Sequence, residues 1–209
     1  MKTEIYSINE MTTAQLSEVA HAVQSGALVA IATDTVYGLA ANAFEETAIA
    51  RIYNIKKRPA DMPLQILVDS TQLARSLVLW NESASQLAQV FWPGPLTMIL
   101  PPNKTGEPLS RGFAGLGLRV PKHCGLLRFL SAFRRPLACT SANEHGRPVI
   151  TTESELCDFC LHRVEFILTD GTLAPVASSV VDLTSEATLL REGVISRQEL
   201  EKALNKPLK

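Results

Sequence analysis

The sequence contains no apolar run long enough to cross a bilayer. Stretches such as Ala27–Ala32 stop far short of the roughly 20 residues a spanning helix needs, so no membrane partner is expected. No basic start leads into an apolar segment, so no secretory leader is expected either. Neither sign of charge dominates: 20 Lys and Arg stand against 21 Asp and Glu, a formal net charge of −1. A basic field over the whole molecule is thereby excluded, and any nucleic-acid contact must come from a local patch. There is no GxxxxGKS/T segment, so a bound nucleotide would be held by side chains and not by a Walker cradle. There is no GxSxG elbow, and His145 lies too near Ser141 along the chain to serve as its base, which argues against a serine hydrolase.

Cysteine is scarce. Cys157 and Cys160 form a CxxC, but no second ligand pair accompanies it, so no protein-bound zinc is expected. A redox pair would open a helix after a strand. Here Asp158, Phe159 and Leu161 make the motif look like one turn of an amphipathic helix. The thiols are expected to be reduced and the location cytoplasmic. Of the four histidines, His21 and His162 read as helix-surface residues, and His123 and His145 as loop residues. None sits at metal-ligand spacing from a carboxylate.

What is present suits a folded enzyme. A chain of 209 residues, 46% of them hydrophobic, can bury a continuous core, and residues 1–209 read as a single domain with its core at about 10–205. Helical and extended patterns alternate. Thr12-x-x-Gln15 is a capping box ahead of Leu16, Val19, Ala20 and Val23, with Gly26 as a stop. Further helices are expected at 47–57, 71–76, 83–91, 126–133, 154–161 and 196–204. Strands are expected at 28–32, 63–68, 96–100, 117–120, 137–140, 166–168, 179–183 and 188–191, with 101–115 as a loop. The late strands lie close enough in sequence to pair antiparallel. The fold class is therefore α/β, with a twisted, mixed parallel and antiparallel sheet flanked by helices.

Five segments carry polar groups where strands or helices end. Thr33-Asp34-Thr35-Val36-Tyr37-Gly38 follows a buried strand, the edge at which open α/β sheets place ligands; a polar turn is the plainer reading. Lys56-Lys57-Arg58-Pro59 complements a helix dipole, or clamps phosphate. Thr140-Ser141-Ala142-Asn143 is suited to a hydroxyl turn, or to a carboxylate or triphosphate. Arg119 interrupts the apolar strand Gly117–Val120 and needs an anion there. Ser178-Ser179-Val180-Val181-Asp182 and Leu190-Arg191-Glu192-Gly193 repeat the theme of hydroxyls and an arginine at strand ends.

Taken in order, these segments resemble the YrdC/TsaC family of threonylcarbamoyl-AMP synthases. The matching residues also include Leu39, Pro63-Leu64, Trp92-Pro93-Gly94-Pro95-Leu96-Thr97, Pro121, Gly146 and Gly193, and the resemblance spans residues 28 to 194. The family's K-x-R and S-x-N signature reads here as Lys56/Arg58 and Ser141/Asn143. The resemblance implies a YrdC-like sheet with a concave, electropositive cavity. It implies a nucleotidyltransferase that joins L-threonine, bicarbonate or carbon dioxide, and ATP into threonylcarbamoyl-AMP and pyrophosphate. The adenylate would pass to a complex that modifies tRNA. By resemblance, Thr33, Thr35, Arg119 and Ser178 bind L-threonine. Lys56, Arg58, Ser141 and Asn143 are catalytic and, with Ser179 and Arg191, bind the nucleotide. Magnesium is carried with ATP.

Lys57 stands where relatives have glycine, Met62 where many have asparagine, and Leu67 where some have histidine. Longer relatives carry a further C-terminal domain, and the short single-domain type is expected here. Three other readings compete. One is an RNA-binding module gripping tRNA or double-stranded RNA through Lys56, Lys57, Arg58, Arg111 and Arg147, although no RNP-like aromatic signature is present. Another is a carbamoyl-adenylate enzyme like the related domain of hydrogenase-maturation proteins. The last is an ATP-binding paralogue without catalysis.

Overall fold

The computed structural model describes residues 2–174 and 176–209. In chain order its elements are β1 (Glu4–Ser7), α1 (Thr13–Gln24), β2 (Val29–Ile31), β3 (Gly38–Asn42), α2 (Glu46–Lys56) and β4 (Gln65–Leu67). There follow α3 (Thr71–Arg75), α4 (Glu82–Phe91), β5 (Leu96–Leu100), α5 (Glu107–Ser110), β6 (Leu116–Arg119) and α6 (Cys124–Phe133). The remainder are β7 (Leu137–Ser141), α7 (Glu153–Cys160), β8 (Phe166–Thr169), β9 (Ser179–Asp182), β10 (Thr188–Arg191) and α8 (Arg197–Leu204).

Local chemistry starts and stops these elements. Thr12, Thr152 and Ser196 each close a reciprocal capping box with Gln15, Glu155 and Glu199, opening α1, α7 and α8. Leu16, Val19, Ala20 and Val23 form the buried stripe of α1, and each large side chain so buried is worth about 1.5–3 kcal/mol. The Trp92-Pro93-Gly94-Pro95 segment follows α4, which ends at Phe91.

The chain divides into two compact units, each built from two separated stretches. The first comprises Met1–Leu64 with His123–Pro175. Its strands run in the order β1-β8-β2-β3-β7, parallel from β1 through β8 to β2 and antiparallel from β2 through β3 to β7. Every residue of β2 and β3 is buried. Helix α1 packs on α6, whose Phe129 and Phe133 rings stack 5.8 Å apart one turn from each other.

The second unit comprises Gln65–Lys122 with Val176–Lys209. Its order is β4-β6-β5-β9-β10: β4 and β6 parallel, β6 and β5 antiparallel, β5 and β9 parallel, β9 and β10 antiparallel. Helices α4 and α8 pack together. The mixed α/β class expected from the sequence is thus present.

Three local expectations change. The sequence reading had no strand at Glu4–Ser7 or Gly38–Asn42, yet both are paired. Helix α5 lies inside the expected 101–115 loop. His162 sits beyond α7, not on it, in a left-handed conformation with φ 63°.

Candidate functional site

In the first unit, three polar segments converge through their own hydrogen bonds. The Thr33–Tyr37 loop is held between β2 and β3, which pair Ile31 with Gly38. A Cβ at position 38 would lie 2.5 Å from Cys139 Sγ, so any larger residue there would have to displace that buried side chain. Thr33 Oγ1 donates to the Val36 carbonyl at 2.7 Å and accepts from the Thr35 N–H at 3.1 Å. Its proton is therefore committed, and the Thr35 hydroxyl 3.0 Å away supplies the proton between them. Both threonines are buried, so Thr33 shapes the turn. Tyr37 ties the loop at both ends. Its carbonyl accepts from Ala142 N at 2.7 Å, and its hydroxyl donates to the Gly171 carbonyl and accepts from Asp170 N.

Helix α2 delivers Lys56 to the Ser141–Asn143 turn. Lys56 is 1% exposed, and its ammonium donates to the Ser141 and Asn143 carbonyls at 2.5 Å each and approaches Asn143 Oδ1 at 3.4 Å. Its own carbonyl accepts from His145 N. Burial, and then the Arg58 charge, lower the Lys56 pKa from its ordinary value to about 8. The Asn143 amide N–H groups go to the Glu144 and Arg147 carbonyls. The structure therefore gathers Lys56, Ser141 and Asn143 as the sequence suggested. The Lys56 charge is set into the protein, where it holds the turn.

Arg58 is half-buried. Its Nε donates to the Met62 carbonyl at 3.1 Å and its NH2 to the Pro63 carbonyl at 3.0 Å, and Tyr53 Oη also donates to Met62. The guanidinium is thus laid along the 62–63 backbone, and burial holds its pKa below the ordinary arginine range.

In the second unit, Arg119 ends β6 at 1% exposure and donates through Nε to the Gly94 carbonyl at 3.1 Å. Arg191 ends β10, where the register with β9 shifts between Leu189 and Arg191. It is exposed, and its Nε and NH2 donate to the carbonyl and hydroxyl of Ser178 at 2.9 and 3.1 Å. Partial burial, then the charge of Arg119, hold its pKa below the ordinary range. The two guanidinium groups are thus near enough for the charge of one to be felt by the other. Ser179 is different. Its buried hydroxyl donates to the Ile195 carbonyl and accepts from Gly193 N and Ile195 N, so its hydrogen-bonding capacity is used in holding the 193–195 loop.

The family model Sua5_yciO_yrdC, described as "Telomere recombination", matches residues 21–193. The chain belongs to the Sua5/YciO/YrdC family. It is 38% identical to the threonylcarbamoyl-AMP synthase of Pyrococcus abyssi over 87% of this chain and 55% of that one. It is 33% identical to the putative threonylcarbamoyl-AMP synthase of Methanocaldococcus jannaschii over 94% and 95% of the respective chains. Among solved structures, P. abyssi Sua5 complexed with L-threonine superposes with a TM-score of 0.91 at 34% identity, covering 99% of this chain and 62% of that one. The chain thus spans little more than half the length of some relatives and nearly all of another.

Every candidate residue lies inside the span matched by the Sua5/YciO/YrdC model. The Lys57 departure has a local solution. Lys57 takes the left-handed C-cap of α2 at φ 50°, the conformation glycine adopts most easily, and its ammonium pairs with Glu144 at 2.7 Å. Cys157 and Cys160 lie in the last turn of α7, and burial pushes the Cys160 thiol up to about 12. Among the described residues, no three His, Cys, Asp or Glu side chains gather into a metal-binding group. Leu67 ends β4 and is buried, and Met62 is exposed. The sequence reading assigned no role to Gln65 or Thr97, which bond to each other and onward to Ser178. A threonine inside the apolar strand 96–100 was the available signal, since a buried hydroxyl needs a partner.

Proposed function

We propose that this chain is an L-threonylcarbamoyladenylate synthase, using L-threonine, bicarbonate or carbon dioxide, and ATP. Two observations combine to support the reading. A relative named threonylcarbamoyl-AMP synthase and one named putative threonylcarbamoyl-AMP synthase match 87% and 94% of the chain, and Lys56, Ser141 and Asn143 are hydrogen-bonded into one cluster. P. abyssi Sua5 has been crystallised with L-threonine, and the same amino acid is the proposed substrate here.

In the proposed reaction the threonine amine first takes up bicarbonate with loss of water. A carbamate oxygen then attacks the α-phosphorus of ATP, and the bond to the β-phosphate breaks, releasing pyrophosphate. The carbamate is already nucleophilic, so positioning and charge stabilisation can supply most of the rate. In this reading Arg119 receives the threonine carboxylate, and Thr35 and Ser178 belong to the amino-acid site. Arg58 and Arg191 meet phosphate oxygens, while Lys56 keeps the Ser141–Asn143 turn in place as a buried cation. Magnesium arrives on the triphosphate and offsets the charge of the leaving group. The adenylate is passed to a tRNA-modifying complex, with tRNA or double-stranded RNA as a further contact.

The test is pyrophosphate release from purified protein with ATP, magnesium, bicarbonate and L-threonine, each omitted in turn. Release is expected only with all components, and to fall roughly a hundredfold in Arg58→Ala. Binding of RNA with no release would hand the case to the RNA-binding reading. Binding of ATP with no release would favour a non-catalytic paralogue.

A further inference from the structure

Four side chains of the second unit form a hydrogen-bonded row whose direction is set at its ends. Arg191 NH2 donates to Ser178 Oγ at 3.1 Å, Ser178 Oγ lies 3.1 Å from Thr97 Oγ1, and Thr97 Oγ1 donates to Gln65 Oε1 at 3.0 Å. A guanidinium only donates and an amide oxygen only accepts, and each hydroxyl between them has one proton. The Thr97 proton goes to Gln65, so the proton between the two hydroxyls belongs to Ser178, and Ser178 Oγ accepts from Arg191. With the second bond, from Arg191 Nε to the Ser178 carbonyl at 2.9 Å, the guanidinium is held at two points by one residue.

Thr97 and Ser178 are buried and Gln65 is half-buried, whereas Arg191 is exposed at an irregular point of its strand. An exposed arginine ordinarily samples many rotamers. This one is anchored by a polar row in a unit whose strands are otherwise largely apolar. The two bonds to Ser178 occupy the Nε edge of the fork and leave its NH1 edge to meet a ligand, with the Arg119 charge close enough to be felt.

We propose that Gln65 and Thr97 are positioning residues. They draw the Ser178 proton toward Thr97 and so turn an oxygen lone pair to Arg191, and through it they fix the guanidinium to receive a substrate oxyanion. On the synthase reading that oxyanion is an ATP phosphate, with the L-threonine carboxylate as the other outcome of the test; the row itself does not rest on that reading.

The test uses Thr97→Val, which keeps shape and removes the hydroxyl, Gln65→Leu, which removes the terminal acceptor, and Gln65→Glu, which can only accept. In ligand-free protein the Arg191 Nε–H signal, followed by NMR, should exchange slowly in wild type and Gln65→Glu and fast in Thr97→Val and Gln65→Leu. Calorimetry with a non-hydrolysable ATP analogue and, separately, with L-threonine reads the consequence. Thr97→Val and Gln65→Leu should weaken the ligand that meets Arg191 by roughly tenfold, and Gln65→Glu should restore what Gln65→Leu loses. Loss confined to the ATP analogue identifies phosphate, and loss confined to L-threonine identifies the carboxylate. In an Arg191→Ala background, Thr97→Val should change affinity by less than about twofold, because the pair acts as one.

Three results would each overturn the proposal: slow Nε–H exchange retained in Thr97→Val, an equal Thr97→Val loss in the Arg191→Ala background, or Gln65→Glu as damaging as Gln65→Leu. If wild type binds neither ligand, the synthase reading falls, and the exchange measurement still decides whether the row holds Arg191.

Discussion

Lys56 in the first unit and Arg191 in the second are both cations bonded to serine, and they are used in opposite senses. Lys56 is 1% exposed, and its ammonium is turned onto two carbonyls of the chain. Arg191 is exposed and clipped to one serine by a single edge of its fork. An ammonium is compact with three rotatable donors, which suits an internal staple; a guanidinium is a flat fork with two usable edges, which suits presentation to a ligand. Burial depresses both pKa values, with different consequences. An arginine lowered from its ordinary range stays charged, whereas Lys56, brought to about 8, titrates near physiological pH. Residues of one formal charge are thus held in two ways, one turned inward onto the chain and one with an edge of its fork left outward.

The sharpest way to break this comparison is Lys56→Met against Arg191→Met. The first strands two carbonyls at the Ser141–Asn143 turn. Hydrogen bonds to charged groups are worth about 1.5–3 kcal/mol each, so a loss of about 3–6 kcal/mol in urea denaturation is expected for the two, with pyrophosphate release abolished. Arg191→Met, at an exposed position where water can replace the lost donors, should cost about 1–2 kcal/mol, well below Lys56→Met, and reduce binding and turnover. Equal stability losses in the two variants would show that Lys56 is not a staple.

Arg119 tests the ligand-facing side of the comparison. It is as buried as Lys56, yet it is assigned to a substrate carboxylate. Arg119→Gln should weaken L-threonine binding by roughly 10- to 100-fold, the worth of a lost charge-assisted pair, with a smaller effect on an ATP analogue. Calorimetry with each ligand checks it, and a larger loss for the ATP analogue would move Arg119 to the phosphates.

The sequence disclosed most of the helices and the buried strands, because capping boxes and apolar runs are local signals. Thr12, Thr152 and Ser196 all cap as such boxes should. It missed β1 and β3, whose pairing is decided elsewhere: β1 lies against β8, about 160 residues away in sequence, and Gly38–Asn42 is a run of small residues that only its neighbours bury. The site was legible as a set of residue types and not as roles. Lys56, Arg58, Ser141, Asn143, Arg119 and Arg191 stood out as polar groups at element ends. What each hydroxyl holds is a matter of partners: Ser178 and Ser179 are adjacent in sequence, yet one is bonded to Arg191 and Thr97 and the other holds the 193–195 loop.

The pH dependence of Lys56 carries a smaller effect with a definite sign. Its folded pKa of about 8 lies below the roughly 10.4 of an unfolded lysine, so between those values the unfolded chain holds more protons. Stability from this group therefore rises with pH across that window, by roughly 1 kcal/mol per pH unit, and is flat below it. The difference between wild type and Lys56→Met, which does not titrate there, should widen from about pH 8 to about pH 10. A midpoint near 8 for the Lys56 Nζ signal in NMR is the direct check, and a midpoint near 10 would place the ammonium in a more solvated setting.

Lys57→Gly should have the smallest effect, since its contributions oppose one another. Lys57 sits at φ 50°, and a non-glycine residue in the left-handed region costs about 1–2 kcal/mol that glycine avoids. Glycine adds freedom to the unfolded chain, which returns about 0.5–1 kcal/mol of that gain. The change also removes the ion pair with Glu144, an exposed contact that solvent screens. A net stabilisation below about 1 kcal/mol is expected, with the end of α2 unmoved and Lys56 still on its two carbonyls. The hydrogen bond from Lys57, and then its charge, hold the Glu144 carboxyl below the ordinary range, so in Lys57→Gly that group should titrate closer to a free glutamate. If stability falls by well over 1 kcal/mol, the lysine is more than a stand-in for glycine. The staple at Lys56 would then depend on the neighbour that pins Glu144 beside it.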